Sequence, residues 1–192
     1  MYLHQHGGIE MRNYVILTGS PRKNGNTAIM ADMLTETLKA RGDEVIRFDT
    51  AFLKLNGCRD CRRCYSTGHP CAFNTDDFNP IAEKLENADG IIFAAPVYWY
   101  TFPAQIKNVI DRFVCLYGSK HLFTNKKCAL LSCCGDEEME AFEGILFAYR
   151  KTIGLMQGEN AGEVLIPGLY PPGAVRNTDA AAQIQALAAR LR

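Results

Sequence analysis

The chain has 192 residues, which is enough to bury a core of its own, and we interpret it as a single domain. Its 21 basic and 21 acidic residues cancel. This balance excludes recognition of nucleic acid or of a membrane surface through bulk charge. We therefore expect the partner to be a small molecule or another protein.

Targeting signals are also missing from the sequence pattern. No apolar run reaches the roughly 18 residues that a membrane-spanning helix needs, and the N-terminus lacks the charged-then-apolar pattern of a secretory signal. The sequence therefore predicts a cytoplasmic location and no membrane partner. Residues 1–12 are predicted to be an N-terminal extension, and residues 13–192 a single domain.

Short apolar runs alternate along the chain with segments of helical periodicity. The predicted elements are, in chain order, strand 13–19, helix 26–40, strand 44–49, helix 77–88, strand 90–95, helix 103–117, strand 127–134, helix 139–155, strand 162–168 and helix 179–191. Such alternation is typical of a parallel sheet covered on both faces. It predicts an α/β, flavodoxin-like, doubly wound sheet of five strands in the order 2-1-3-4-5, with ligands beyond the carboxyl ends of the first and third strands.

The loop after the first strand has the composition of a phosphate site. GSPRKNGNT, residues 19–27, leaves a strand and enters a helix, where backbone N–H groups favour an anion. The polar side chains on offer are Ser20, Arg22, Asn24, Asn26 and Thr27. Neither the P-loop order nor G-x-G-x-x-G is present, which disfavours ATP and classical NAD binding. The alternative is that these residues only cap the helix and turn the chain.

The loop after the third strand is rich in aromatic residues. The residues that follow this buried strand include Val97, Tyr98, Trp99, Tyr100 and Phe102. Several rings at the carboxyl edge of a strand indicate a planar ligand such as a flavin. The alternative is a subunit interface, where Tyr and Trp are also enriched.

Together the two loops resemble a known family. GSPRKNGNT followed by ADGIIFAAPVYWYTFPAQIKNVIDRF is similar to the NADPH-dependent FMN reductase family over about residues 13–112. The resemblance implies that the first loop, through the five polar residues above, holds the FMN phosphate. It implies that the ring lies against Pro96, Val97, Tyr98, Trp99 and Tyr100. A third loop, Ser132 to Gly135 with Cys133 and Cys134, would complete the site, although SCCGDE departs from the family's Ser/Gly-rich versions.

The resemblance also implies the chemistry. In this family NAD(P)H delivers hydride to FMN, which passes electrons to a small-molecule acceptor such as a flavin, a quinone, a nitro compound or a metal. The protein supplies binding and orientation. We therefore assign no side-chain acid or base, and interpret His121 as a solvated residue of a basic loop.

Half of the eight cysteines lie in the cysteine-rich segment, residues 57–76, at Cys58, Cys61, Cys64 and Cys71. The spacing C-x-x-C-x-x-C-x6-C is close to that of the iron-sulfur flavoprotein branch of the same family, which implies a 4Fe-4S cluster beside FMN. Zinc bound by four thiolates is a second alternative, and a metal-free segment is a third. Cys115 and Cys128 are predicted to be core thiols.

Three classes of function remain open from the sequence. They are an NAD(P)H-dependent FMN oxidoreductase, an iron-sulfur flavoprotein that exchanges electrons with ferredoxin, and a flavodoxin-like regulator that binds FMN without turnover. The resemblance also implies a homodimer or homotetramer. A second subunit would cover residues around the flavin, namely Phe102, Tyr117, Phe123 and the segment Tyr170-Pro171-Pro172.

Overall fold

The computed structural model describes residues 11–67 and 71–192. Most of the predicted N-terminal extension, residues 1–10, lies outside the described residues, as do residues 68–70 of the cysteine-rich segment. Five parallel strands form one sheet in the order β2-β1-β3-β4-β5. The strands are β1 (Asn13–Thr18), β2 (Glu44–Asp49), β3 (Gly90–Pro96), β4 (Lys127–Cys133) and β5 (Glu159–Ile166). The predicted α/β flavodoxin-like order is therefore confirmed.

Helices connect the strands. They are α1 (Asn26–Ala40), α2 (Arg63–Thr67), α3 (Phe78–Asn87), α4 (Ala104–Ile110), α5 (Val114–Gly118), α6 (Glu143–Leu155) and α7 (Ala180–Arg190). Short 3₁₀ turns lie at Thr50–Phe52, Asp111–Phe113, Met139–Phe142 and Ala174–Asn177. No helix in the two described ranges is both long enough and apolar enough to cross a membrane.

Two apolar cores, one on each face of the sheet, explain why the strands read as continuous apolar runs. Val15 and Leu17 of β1 belong to the core under α3 to α6. Tyr14 and Ile16 belong to the core under α1 and α7. Since successive side chains of a strand point to opposite faces, both sets are apolar when both faces are covered.

Several predicted elements differ from the structure in their bounds, and helix α2 was not predicted. The predicted strand 162–168 begins three residues earlier, at Glu159, because β5 crosses a register shift opposite Cys128 and Ala129 and continues pairing beyond it. The predicted helix 103–117 is interrupted by the 3₁₀ turn Asp111–Phe113. That turn contains Arg112, whose side chain is buried.

The predictions for two buried thiols are confirmed, whereas those for two aromatic residues are not. Cys115 and Cys128 are buried in the core, as predicted. Phe102 and Phe123 are also buried within the single chain, so the expectation that a second subunit covers them is wrong. Both rings pack in the aromatic cluster around Phe93 and Phe113.

An ion pair between Arg112 and Asp76 joins the cysteine-rich segment to the core. The side chains are 1% and 0% exposed. Nη1 of Arg112 donates to both carboxylate oxygens of Asp76, at 2.7 and 2.6 Å, and Asp76 also accepts from the N–H of Asn56 at 3.0 Å. Burial alone would raise the pKa of Asp76, but the hydrogen bonds from Arg112 and Asn56 hold it below its ordinary value.

We predict that Asp76→Asn lowers the free energy of unfolding by about 3–5 kcal/mol at pH 7, since it leaves the Arg112 charge buried without a counterion. The folded pKa of Asp76 lies below the unfolded value of about 3.9, so its stabilisation is fully present above about pH 4 and is lost as the pH falls further. Urea unfolding of both proteins from pH 3 to 8 should show the difference shrinking only at the acid end. A constant difference would contradict this account.

Candidate functional site

The loops after β1, β3 and β4 meet in one cleft of about 200 Å³ at the carboxyl edge of the sheet. This is where the topology places a ligand, because strand order reverses between β1 and β3. The predicted residues that line the cleft are Ser20, Arg22, Asn26, Thr27, Pro96, Val97, Tyr98, Cys133, Cys134 and Gly135. Asn24, Trp99 and Tyr100 do not contribute to its lining.

The first loop offers backbone donors to an anion. Helix α1 begins after Gly25, and within the described chain no side chain caps it and no acidic residue lies in its first turn. The Ser20 hydroxyl turns the loop by accepting from the N–H of Arg22 at 3.2 Å. An uncapped N-terminus beside a hydroxyl and a guanidinium favours a phosphate group.

Two of the predicted phosphate residues have other contacts. The Asn26 amide donates to the Pro171 carbonyl at 2.9 Å and accepts from the N–H of Val175 at 3.2 Å. The Thr27 hydroxyl lies 3.2 Å from the Cys133 sulfur. Asn26 therefore holds the 171–175 loop against α1. Of the five residues predicted to bind the phosphate, Ser20 and Arg22 line the cleft without such a long-range contact.

The second loop closes in a tight hairpin. The N–H of Tyr98 donates to the Thr101 carbonyl at 2.9 Å and the N–H of Thr101 donates back at 3.1 Å. The two central residues, Trp99 and Tyr100, have left-handed φ angles of 46° and 63°, as a type I′ turn requires. Such a conformation costs on the order of 1–3 kcal/mol for each bulky residue. The turn directs Trp99, which is 94% exposed, away from the cleft.

The third loop contributes neutral thiols. Burial raises the pKa of Cys133, and it also raises the pKa of Cys134, so neither is a thiolate at neutral pH. The Tyr170 ring lies over Gly135, where an added Cβ would be 2.9 Å from its Cζ. Sequence analysis did not name Gly25 or Leu169 as lining residues, and it placed Tyr170 and Pro172 around the flavin only as a surface that a second subunit would cover. Gly25 lies within the motif of the first loop, but no local pattern identified Leu169.

A second pocket contains the four cysteines of the cysteine-rich segment together with Arg112 and Cys115. Its free volume is about 20 Å³, close to the room that one water needs. Cys64 is buried, whereas Cys58 and Cys61 are exposed. Over residues 11–67 and 71–192, no three Cys, His, Asp or Glu side chains converge closely enough to hold a metal ion.

The backbone of this segment has features suited to anionic sulfur. The N–H of Asp60 donates to the Cys58 sulfur at 3.4 Å. Asp60 and Arg62, on either side of Cys61, have left-handed φ angles of 46° and 54°. Alternating conformations of this kind turn neighbouring N–H groups into an anion-binding concavity, as at many iron-sulfur sites.

The protonation of the thiols sets a condition on metal binding. Burial raises the pKa of Cys64, and burial followed by the nearby Cys71 and Cys64 raises that of Cys115 to about 12. A metal must therefore displace protons from such thiols. The donor set fits a thiolate-bound metal, but the exposed sulfurs of Cys58 and Cys61 would have to turn inward.

His121 lies away from both pockets. Its Nδ1 is 3.3 Å from the Glu86 carboxylate. It contributes to the lining of neither the cleft nor the cysteine pocket.

A family model and the relatives found by sequence comparison agree on the kind of protein that this chain resembles. The model of the family described as "NADPH-dependent FMN reductase" matches residues 12–144. An iron-sulfur flavoprotein from Methanosarcina thermophila is 38% identical over 122 residues, which cover 62% of this chain and 61% of that relative. An iron-sulfur flavoprotein from Archaeoglobus fulgidus is 30% identical over 154 residues, which cover 79% of this chain and 69% of that relative. The match thus spans about two thirds of these relatives' length.

Solved structures agree on the fold. An NAD(P)H:quinone oxidoreductase from Methanothermobacter marburgensis superposes with a TM-score of 0.66 at 19% identity, covering 94% of both chains. An NADH:FMN oxidoreductase superposes with a TM-score of 0.67 at 17% identity, covering 94% of this chain and 88% of the other.

Helix α6 supports the hairpin through a glycine, which gives a testable pair of variants. A Cβ at position 144 would collide with the Tyr100 carbonyl oxygen, whereas a Cβ at position 154 of the same helix meets nothing within 4 Å. We predict that Gly144→Ala costs about 1–3 kcal/mol of stability by overpacking and weakens ligand binding in the cleft. Urea unfolding and FMN titration measure the two effects.

Gly154→Ala is the matched control, and it should stabilise the helix by a few tenths to about 1 kcal/mol. Equal effects of the two substitutions on unfolding would show that α6 does not constrain the hairpin.

Proposed function

Because the chain belongs to the NADPH-dependent FMN reductase family of flavin-dependent oxidoreductases, close to its iron-sulfur flavoprotein branch, we propose that it binds FMN in the cleft and transfers electrons from NAD(P)H to a small-molecule acceptor. The acceptor class is a flavin, a quinone, a nitro compound or a similar compound. The single observation that carries this proposal is the meeting of three loops in one cleft beside the uncapped start of α1.

FMN, when bound, supplies the hydride chemistry. The chain's own residues bind and orient it. Ser20, Arg22 and the first N–H groups of α1 would hold the phosphate. The hairpin backbone at Val97 and Tyr98 would line the ring, and the neutral thiols of Cys133 and Cys134 would close the inner side without placing a negative charge there.

The role of Arg22 gives a prediction about the phosphate. Arg22→Gln should raise the dissociation constant for FMN about tenfold, equivalent to about 1.4 kcal/mol, because a charge-assisted hydrogen bond is lost. The affinity for riboflavin, which has no phosphate, should stay unchanged. Fluorescence titration of apoprotein with both ligands measures this.

Lys23→Gln is the control for surface charge. Lys23 is the next residue and lies over the Phe52 ring, 5.0 Å from its centroid, outside the cleft lining. A uniform loss of affinity for FMN and riboflavin in Arg22→Gln, or an equal loss of FMN affinity in Lys23→Gln, would count against phosphate binding by Arg22.

A second candidate function is iron-sulfur electron transfer, in which the chain exchanges electrons with ferredoxin. It is favoured by the four thiols in one pocket and by the N–H donated to the Cys58 sulfur. Cys58, Cys61, Cys64 and Cys71 would hold a 4Fe-4S cluster, which would supply one-electron chemistry beside the flavin.

We predict about four iron and four sulfide per chain after anaerobic reconstitution, and loss of both in Cys71→Ser. Cys115→Ala is the matched control, because this buried thiol lines the same pocket but lies outside the motif. Chemical analysis for iron, sulfide and zinc distinguishes the outcomes. Zinc in place of iron, or a wild-type protein with no metal, would refute the cluster and leave the FMN proposal standing.

The proposed homodimer or homotetramer, the ferredoxin partner and the cytoplasmic location rest on the resemblance and the composition. Tyr117 and Tyr170 remain exposed on the single chain, and so do Trp99 and Tyr100 of the hairpin. A second subunit is expected to cover these rings, since exposed aromatics are enriched at interfaces.

A further inference from the structure

Arg112 is a buried cation that connects the two candidate sites. It lies in the 3₁₀ turn Asp111–Phe113, directly after helix α4. Helix α4 begins at Ala104, just beyond the hairpin that lines the cleft. From this turn the Arg112 side chain reaches the pocket of the four cysteines.

The two terminal nitrogens of Arg112 have strong acceptors. Nη1 is bound by the Asp76 carboxylate, and Nη2 donates to the Phe73 carbonyl at 2.6 Å. The centre of the guanidinium lies 4.0 Å from the centroid of the Phe78 ring. These contacts fix the plane of the group, because a forked donor held at two nitrogens and stacked on a ring has little freedom left.

The third nitrogen is different. Nε is buried, and it has no hydrogen-bond partner among residues 11–67 and 71–192. A buried N–H without an acceptor costs about 1–3 kcal/mol. An acceptor bound in the pocket would satisfy this N–H.

The pocket that Arg112 lines is rich in sulfur, since Cys58, Cys61, Cys64, Cys71 and Cys115 line it as well. Although burial would lower the pKa of Arg112, its hydrogen bonds to Asp76 and the proximity of the Cys71 side chain raise it. Cys71 is itself clamped, since its N–H donates to the Asn79 side chain and its carbonyl accepts from the same amide, each at 3.0 Å. The pocket therefore contains the guanidinium together with a motif cysteine whose backbone is fixed by Asn79.

We propose that Arg112 is a positioning residue for the sulfur ligands of the pocket, which fixes Cys71 and donates its uncommitted N–H to anionic sulfur there. This inference rests on the proposed cluster. Asp76 offsets most of the Arg112 charge, but a cationic N–H donated to sulfur stabilises the more negative, reduced cluster over the oxidised one, so it raises the reduction potential.

The test separates this role from simple anchoring of the segment. Replacing Arg112 alone leaves the Asp76 charge buried, so the main variant is the double substitution Arg112→Gln with Asp76→Asn, which removes both charges. Arg112→Lys keeps a cation but loses the fork. Arg59→Gln is the charge control, because Arg59 lines the same pocket but is exposed, stacked on Phe73 at 3.9 Å, where solvent screens its charge.

The measurement is an anaerobic redox titration of the reconstituted holoprotein followed by visible and electron paramagnetic resonance spectra, with iron, sulfide and FMN content determined in parallel. We expect the double variant to shift the cluster's reduction equilibrium at least tenfold toward the oxidised form, which is about 59 mV for a one-electron couple. Arg59→Gln should shift it less than about twofold.

An unchanged cluster potential in a double variant that retains iron and FMN would overturn the inference and leave Arg112 as an anchor only. If the double variant holds no iron, Arg112→Lys is decisive, with a lowered potential supporting the inference and an unchanged one overturning it. Absence of iron from the wild-type protein would instead refute the proposed cluster, and the inference with it.

Discussion

The buried ion pair of Arg112 and Asp76 is the interaction on which the arrangement of this protein depends. The cysteine-rich segment is a long connection between β2 and α3, and it has little regular structure of its own. Asp76 joins the two ends of this segment to the core, because its carboxylate accepts hydrogen bonds from Asn56 and from the buried Arg112. A buried ion pair stabilises a protein only when its geometry is good, and the removal of one partner is strongly destabilising. The segment is therefore tied to the helix that leaves the cleft.

A second constraint acts at the hairpin. Two bulky residues in left-handed conformations persist only where the surroundings impose them. Here the cross-strand hydrogen bonds of Tyr98 and Thr101 and the bare backbone of Gly144 impose that geometry. The result is a rigid backbone edge at Val97 and Tyr98, which a planar ligand needs on one side of its ring. Backbone strain is common at ligand sites, and here the packing around the hairpin offsets its cost.

Much of the fold could be predicted from the sequence, because strand burial on both faces and helical periodicity are local signals. Order 2-1-3-4-5 and the placement of the loops after β1 and β3 follow from them. The start of β5 was not predictable, since it depends on a bulge against β4. The burial of Arg112 was not predictable either, because adjacent Asp and Arg residues in a helical stretch normally lie on a solvent-exposed face.

The candidate site was predictable in part for the same reason. Polar and aromatic loops after buried strands identified Ser20, Arg22 and Tyr98 from composition and position alone. The engagement of the Asn26 amide with the 171–175 loop and the placement of Tyr170 over Gly135 are long-range contacts. No local pattern encodes such contacts, and only the folded chain reveals them.

We propose a flavin in the cleft and, as the second candidate function, a cluster in the cysteine pocket of the same chain. The most direct test is a count of electrons in an anaerobic titration of the holoprotein with dithionite. Flavin takes two electrons and a cluster of this type takes one, so the account predicts about three equivalents per chain. Uptake of only two equivalents, with no spectral change beyond that of the flavin, would contradict it.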